Sequence, residues 1–303
     1  MNACSDPQVC SLASRRVTQR MRPLTVAVAL LVLAPWTSVS AQPLLAHATP
    51  VGASYALHAG DRSAERNTAG APAEAPSYHY ATLGLRRIDG LKLGGLAIAA
   101  LAVSTADRRG DAWARHASVQ NNSTLDALSK IGNVTGSTVG AGIGPALWLL
   151  GRARGDSGTA VMGLRTTESV VVGGVAVTAI KLIAGRTRPY ASADHSPTHW
   201  DLFGGRSDSA KSFASGHTTV AAAAAVSLAA EWRRQGLRGW KTVGPPMAYA
   251  LATLTAGSRV RDRQHWMSDV VSGAALGMVS ALVVRRWHDA HPKSWIDRLF
   301  LAH

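Results

Sequence analysis

Cysteine is nearly missing from this chain: of 303 residues only Cys4 and Cys10 carry a thiol, both within the first ten positions. Charge is scarce too, at 17% of residues, and it leans basic, with 32 Lys and Arg against 18 Asp and Glu. Phe and Tyr number only three and five. The alternating β-branched patterns of half-buried strands are largely absent, which excludes a mainly sheet-built fold. So little charge is unusual for an ordinary soluble protein, while 47% hydrophobic residues leave ample material for a sizeable core. Ala and Gly dominate that apolar fraction, a composition suited to closely packed helices, in water or in a membrane.

The opening 41 residues are set aside from the fold. Arg15, Arg16, Arg20 and Arg22 precede the apolar stretch LTVAVALLVLAPW, and SVSA follows with small Val39 and Ala41 at the −3 and −1 positions of a cleavage site. This is the layout of a secretory signal peptide, predicted over 1–41, and the part from Met21 is complete by itself. Its removal takes away both cysteines, excluding a disulfide, a thiol nucleophile and a thiolate metal site. It also removes four Arg and one Asp, lowering the formal charge from +14 to about +11. That surplus points to anionic lipid or anionic substrates, and export sets nucleic acid aside.

Residues 42–84, rich in Ala, Pro, Gly, Ser and His without helical periodicity, read as a flexible lead-in. From 85 to 287 the chain reads as one domain, with 288–303 as a C-terminal tail. Charge-free runs cover 93–106, 131–151, 169–180, 218–230, 242–258 and 270–284, and with their flanks they read as six helices. The segment 107–130 between the first two is expected to hold a surface helix and a loop. Most of these runs are 12 to 17 residues long, shorter than the roughly 20 a bilayer span needs. A cleaved signal followed by three spans would also return Lys181 to the cytoplasm. Against this, Arg152 and Arg154, then Arg233, Arg234, Arg238 and Lys241, fall in alternate loops as the positive-inside rule would place them. The reading carried forward is an exported, periplasmic helical domain, soluble or membrane-associated. An integral inner-membrane protein with a periplasm-facing site is the alternative.

Three stretches carry chemistry. In KLIAGRTRPY, Lys181 ends an apolar helix and Pro189 breaks the helix just after Arg188; basic residues at a helix C-terminus are also what the helix dipole favours. In KSFASGHTTV, Ser215 and Gly216 stand at a helix start, where free backbone N–H groups and the dipole favour an anion. Ser215 reads equally as an N-cap with His217 incidental in the first turn. In SRVRDRQHWMSD, His265 and Asp269 are four apart and share a helix face, so a carboxylate can fix the imidazole's tautomer. The same pair is half a metal site, but Arg259, Arg261 and Arg263 around it repel a cation and attract phosphate. The first two stretches lie in one connection and the third in another at the same end of the bundle. One site there gathers Lys181, Arg188, Ser215, Gly216, His217, Arg259, His265 and Asp269.

These motifs resemble those of the type 2 phosphatidic acid phosphatase and vanadium haloperoxidase superfamily. Lys181 with Arg188–Pro189 matches its first motif, and Ser258–Arg259, His265 and Asp269 match its third. Ser215–Gly216–His217 matches the second, except that Ala214 stands where proline is usual, which loosens the turn. The resemblance covers roughly 85–287 and implies an all-α, six-helix bundle with the active site at one end. It implies that His265 attacks phosphorus to form a phosphohistidine, that Asp269 orients it, and that His217 protonates the leaving oxygen and then activates water. Lys181, Arg188 and Arg259 with Ser215 and Gly216 would hold the phosphate oxygens, with no metal or other cofactor required. The implied substrate is a phosphorylated small molecule, a lipid phosphate or an isoprenyl pyrophosphate. Two alternatives stand beside this: a haloperoxidase holding vanadate in the same pocket, and a non-enzymatic anion- or lipid-binding protein. In the loop 190–213, Trp200, Leu202 and Phe203 would contact an acyl or prenyl chain or simply pin the loop to the bundle. His195 and His199 read as surface residues.

Overall fold

The structure is a computed structural model that describes residues 87–301 apart from Leu237 and Lys293. The expected signal peptide at 1–41 and the lead-in at 42–84 lie outside the described residues. Nine helices are labelled here: α1 (Arg87–Ser104), α2 (Asp107–Arg115), α3 (Ser123–Val134), α4 (Gly140–Arg154), α5 (Ser157–Ala184), α6 (Gly216–Arg234), α7 (Gly244–Arg261), α8 (Met267–Ala290) and α9 (Trp295–Leu301). A single turn, Ala117–Gln120, links α2 to α3, and a π-helical turn, Thr135–Val139, joins α3 to α4. No strand occurs among the described residues; Arg186 and Trp200 make one isolated bridge. The all-α expectation holds among the described residues, but the six-helix count does not: the run 131–151 is divided between α3, the π turn and α4, and α2 and α9 come in addition.

Composition explains the arrangement. Thr218 to Ala229 of α6 are buried almost without a break, so α6 is the central helix, with α4, α5, α7 and α8 packed around it. Alanine and glycine permit this close approach: a Cβ at Gly277 of α8 would stand 2.8 Å from the Ala223 nitrogen and 2.9 Å from the Ala222 Cβ. On the outer side of α8, Leu96 and Val103 of α1 join Val271, Met278 and Ala281 in an apolar cluster. At the far end α9 folds back, Arg165 pairing with Asp297 at 2.7 Å and the Trp148 indole N–H donating to the Phe300 carbonyl at 3.0 Å.

The segment 107–130 is more than a surface helix. Asp107 and Asp111 of α2 are buried, drawn in by arginines of the site described below. Two helices, α5 with 28 residues and α8 with 24, are long and apolar enough to cross a bilayer by length and composition. Only 17% of the apolar window in α5 is buried, against 56% in α8, and Val171, Val172, Val175, Leu182 and Ile183 of α5 are exposed.

Candidate active site

The site forms where two connections meet at one end of the bundle. The first, 185–215, leaves α5 through Gly185 in the left-handed conformation (φ +57°). Any Cβ there would run into the Asp201 carbonyl, so glycine is required for both its φ and this close approach. The second is the tight turn between α7 and α8. The Tyr190 N–H donates to the Arg263 carbonyl at 3.1 Å and the Ser215 N–H to the Asp269 carbonyl at 3.0 Å. The Trp266 indole N–H donates to the Thr187 carbonyl at 2.8 Å. The convergence expected from chain order is thus present in the structure.

At its base lies a residue that sequence reasoning missed, Arg186. Its guanidinium is buried and paired with Asp269 on one side and, at 2.8 Å, with Asp107 on the other. It also donates to the Ser268 hydroxyl at 2.8 Å and the Pro197 carbonyl at 2.9 Å, and the Trp200 ring faces it at 4.8 Å. Asp107 accepts from the Ser268 N–H at 2.8 Å and its hydroxyl at 2.6 Å, fixing the start of α8. Fully buried Asp269 accepts from the Trp266 N–H at 2.9 Å and from the Ser212 hydroxyl. Burial pushes its pKa up, but His265, Arg186 and Ser212 outweigh that and hold it below the usual carboxylate range.

His265 is 2% exposed. Its Nδ1 lies 2.7 Å from the Ser212 carbonyl, which only accepts, so Nδ1 carries the proton and Nε2 keeps its lone pair. Here the expectation that Asp269 bonds His265 directly needs correction: the carboxylate stands 3.8 Å from Nδ1. Its oxygens are taken by Arg186, Ser212 and the Trp266 amide, so it reaches His265 through Ser212. Burial lowers the His265 pKa to about 4 despite Asp269. That of His217, in the first turn of α6, is also about 4, through burial and the charges of Arg259, Lys181 and Arg188. Both imidazoles are neutral near pH 7.

Three cations face His217. The Lys181 ammonium donates to the Lys211 carbonyl at 2.6 Å, and burial together with Arg188 lowers its pKa to about 8. Arg188 donates to Gln264 at 2.6 Å and to the exposed Asp208 carboxylate at 3.0 Å. Arg259 donates to Asn133 at 2.7 Å, while its Nε is buried without a hydrogen-bond partner. Asn133 is held in turn by Asp262 at 2.7 Å.

The helix start departs from expectation at Ser215. Its N–H is used by Asp269, and its hydroxyl pairs with Thr218 at 2.9 Å, so it serves structure, and the N–H groups at the mouth of α6 begin with Gly216. A Cβ at Gly216 would touch only Lys181 Cε at 3.6 Å and Val177 at 3.9 Å. Protein packing therefore leaves room there for a side chain, and the absence of one keeps open the space beside Lys181. Ala214 is buried, and the turn around it is tied by the Ser212 N–H to the Arg186 carbonyl at 3.0 Å, so it is not loose. Of the loop's apolar residues Trp200 packs within the connection itself, on Phe213 at 5.3 Å and against Arg186. Leu202 and Phe203 do not, being 68% and 72% exposed. His199 is exposed, as expected, whereas His195 is half-buried, its Nδ1 out of solvent and 3.5 Å from the Asp111 carboxylate.

Of the residues missed, Asn133 had a signal, being a polar side chain inside a charge-free run. Asp107 and Asp111 share a helix face by spacing, whereas Arg186 was one of the two arginines in KLIAGRTRPY, with nothing to set it apart. Chemically the arrangement can hold a tetrahedral oxyanion between guanidinium, ammonium and amide donors, with one neutral imidazole aimed at it and a second beside it. Replacing Arg186 with Leu leaves two buried carboxylates without a counter-charge. The expected loss of unfolding free energy is about 3–5 kcal/mol, read from urea denaturation; an unchanged midpoint would contradict this role.

Comparison with curated proteins and with solved structures returned no match. Comparison with family models did: residues 163–293, from α5 through α8, match the PAP2 superfamily. That interval holds every proposed catalytic and phosphate-holding residue, and its match to the PAP2 superfamily supports the resemblance that the three motifs carry.

Proposed function

We propose that this protein is a metal-independent phosphatase that hydrolyses phosphate monoesters or lipid phosphates and pyrophosphates through a phosphohistidine. The observation that carries this reading is buried, neutral His265, its Nδ1–H fixed on the Ser212 carbonyl and its Nε2 free beside Lys181 and Arg188. Nε2 attacks phosphorus while the bond to the leaving oxygen breaks. Lys181, Arg188, Arg259 and the Gly216 amide stabilise charge on the non-bridging oxygens. A cation-lined pocket suits an oxyanion and opposes a divalent metal.

His217 serves as the acid. In the free site burial and, after it, three cations depress its pKa; a bound phosphate offsets the cations, which favours uptake of a proton as substrate arrives. It gives that proton to the leaving oxygen, then removes one from the water that attacks the phosphohistidine. Two displacements at phosphorus retain its configuration. Export to the periplasm is supported by the signal layout at 1–41, and membrane association by the exposed apolar face of α5.

Phosphate release by wild type and His265→Ala, with EDTA throughout, tests the reading. Turnover should survive EDTA and fall at least about thousand-fold in the variant; an active His265→Ala would refute the nucleophile. The pH profile tests Lys181. Free-enzyme groups appear in kcat/KM, so it should fall further above pH 8 as the ammonium is lost, beyond the decline from the substrate's own ionisation near about 6. Lys181→Arg, which stays charged, should remove that second limb; its persistence would contradict the assignment.

A further inference from the structure

Arg188 grips Asp208 by its main chain as well as by its carboxylate. The Arg188 N–H donates to the Ser209 carbonyl at 2.8 Å and its Nε to the Asp208 carbonyl at 2.9 Å. One terminal nitrogen donates to Gln264, the other to the Asp208 carboxylate at 3.0 Å. Asp208 opens a single 3₁₀ turn, Asp208–Ala210, and its carbonyl also accepts the Lys211 N–H at 3.1 Å. The main chain of this turn is thus fastened to Arg188 at two neighbouring carbonyls. The Asp208 side chain, in contrast, is 73% exposed, held by Arg188 and, at 3.4 Å, by the Tyr190 hydroxyl.

A second observation joins this carboxylate to the site. Burial lowers the pKa of Lys181 and of Arg259, and the negative charge of Asp208 works against that at both. Its field therefore reaches past Arg188 to all three cations. Asp269 acts on Lys181 as well, and Asp262 on Arg259. Asp269, however, is fully buried and bound by Arg186, Ser212 and the Trp266 amide, and Asp262 is held by Ser129, Asn133 and Arg261. With Arg188 and Arg259 buried, exposed Asp208 stands where the site opens to solvent, and the part of a substrate that extends outward from the phosphate passes it.

We propose that Asp208 determines specificity by charge: the site takes phosphate esters of uncharged alcohols, and a second negative charge beside the reacting phosphate, as in a pyrophosphate or a phosphorylated acid, is disfavoured. The proposal rests on the phosphatase reading and narrows its substrate class. A phosphate that engages the three cations takes the place of the carboxylate on Arg188, but the main-chain bonds to Arg188 keep the displaced side chain at the rim. The reacting phosphate offsets the cations, and the next anionic group meets Asp208. Like charges about 6 Å apart lose a factor of roughly three in binding in bulk water, and about ten at half that dielectric constant. Asp208→Asn keeps an acceptor oxygen for Arg188 and the main-chain carbonyl while it removes the charge, so its effect reads the charge and not the turn.

The test compares kcat/KM for n-hexyl phosphate and n-hexyl pyrophosphate in wild type, Asp208→Asn and Asp208→Glu, with EDTA throughout. Each protein is judged by the ratio of the two substrates, so their different leaving groups cancel between proteins. Asp208→Asn should raise the pyrophosphate-to-monophosphate ratio at least about threefold over wild type, and Asp208→Glu, which stays charged, should not. A smaller rise in Asp208→Asn, or an equal rise in Asp208→Glu, overturns the assignment. If wild type hydrolyses neither ester, the phosphatase reading fails. Calorimetric binding of inorganic phosphate and of methylenediphosphonate then judges the rim alone. A gain in affinity on Asp208→Asn that is at least about threefold larger for the bisphosphonate than for phosphate supports the role; a smaller difference overturns it.

Discussion

The arrangement depends on one buried arginine. Arg186 lies between Asp107 of α2 and Asp269 of α8, reaching both from the connection that leaves α5. Removing any one of the three leaves an uncompensated charge in a low-dielectric interior. A trio of this kind adds little net stability over a well-packed apolar set; its consequence is positional. It sets where α8 begins, through the bonds of Asp107 to Ser268, and it orients the carboxylate that fixes Ser212. Ser212 then presents its carbonyl to His265. The reactivity assigned to His265 thus comes from a chain of hydrogen bonds whose far end is an aspartate on a helix outside the matched family interval.

The electrostatics follow from placing three cations and two imidazoles where water is largely excluded. Burial, and after it the charges of Lys181, Arg188 and Arg259, which also repel one another, suppress protonation of His217. In the proposed phosphatase an anion with the charge of phosphate relieves that repulsion, which links its binding to proton uptake. Asp208, exposed and paired with Arg188, occupies part of this demand in the free protein. An exposed carboxylate held by one guanidinium is a weak competitor, and in the proposed phosphatase a phosphate that engages all three cations displaces it. Behind the site, the small residues of α6 let four helices share one central axis, which keeps both connections at the same end.

Much of this was legible in sequence, for definable reasons. Helical runs announce themselves by their lack of charge, and six of them located the bundle. The three motifs place nucleophile, acid and cations at fixed spacing on helix ends, and chain order predicts their meeting. Hydrogen-bond partners were not legible. Ser215 looks like a donor in sequence, but its N–H is taken by Asp269, and Asp269 looks like the direct partner of His265 but stands 3.8 Å away. Both outcomes depend on ångström-scale positions set by Arg186, which no spacing rule distinguishes from the arginine two residues later. Exposure was equally hidden: Leu202 and Phe203 have the composition of an anchor, yet they stand in solvent.

The most direct test of the account is to quench a reaction with labelled phosphate ester within one turnover and map the label on the protein. The account predicts an acid-labile phosphoryl group on His265, present in wild type, absent in His265→Gln, and accumulating in His217→Ala with a good leaving group that needs no proton. Label on no protein residue, with oxygen from water entering phosphate in a single inverting step, would contradict it.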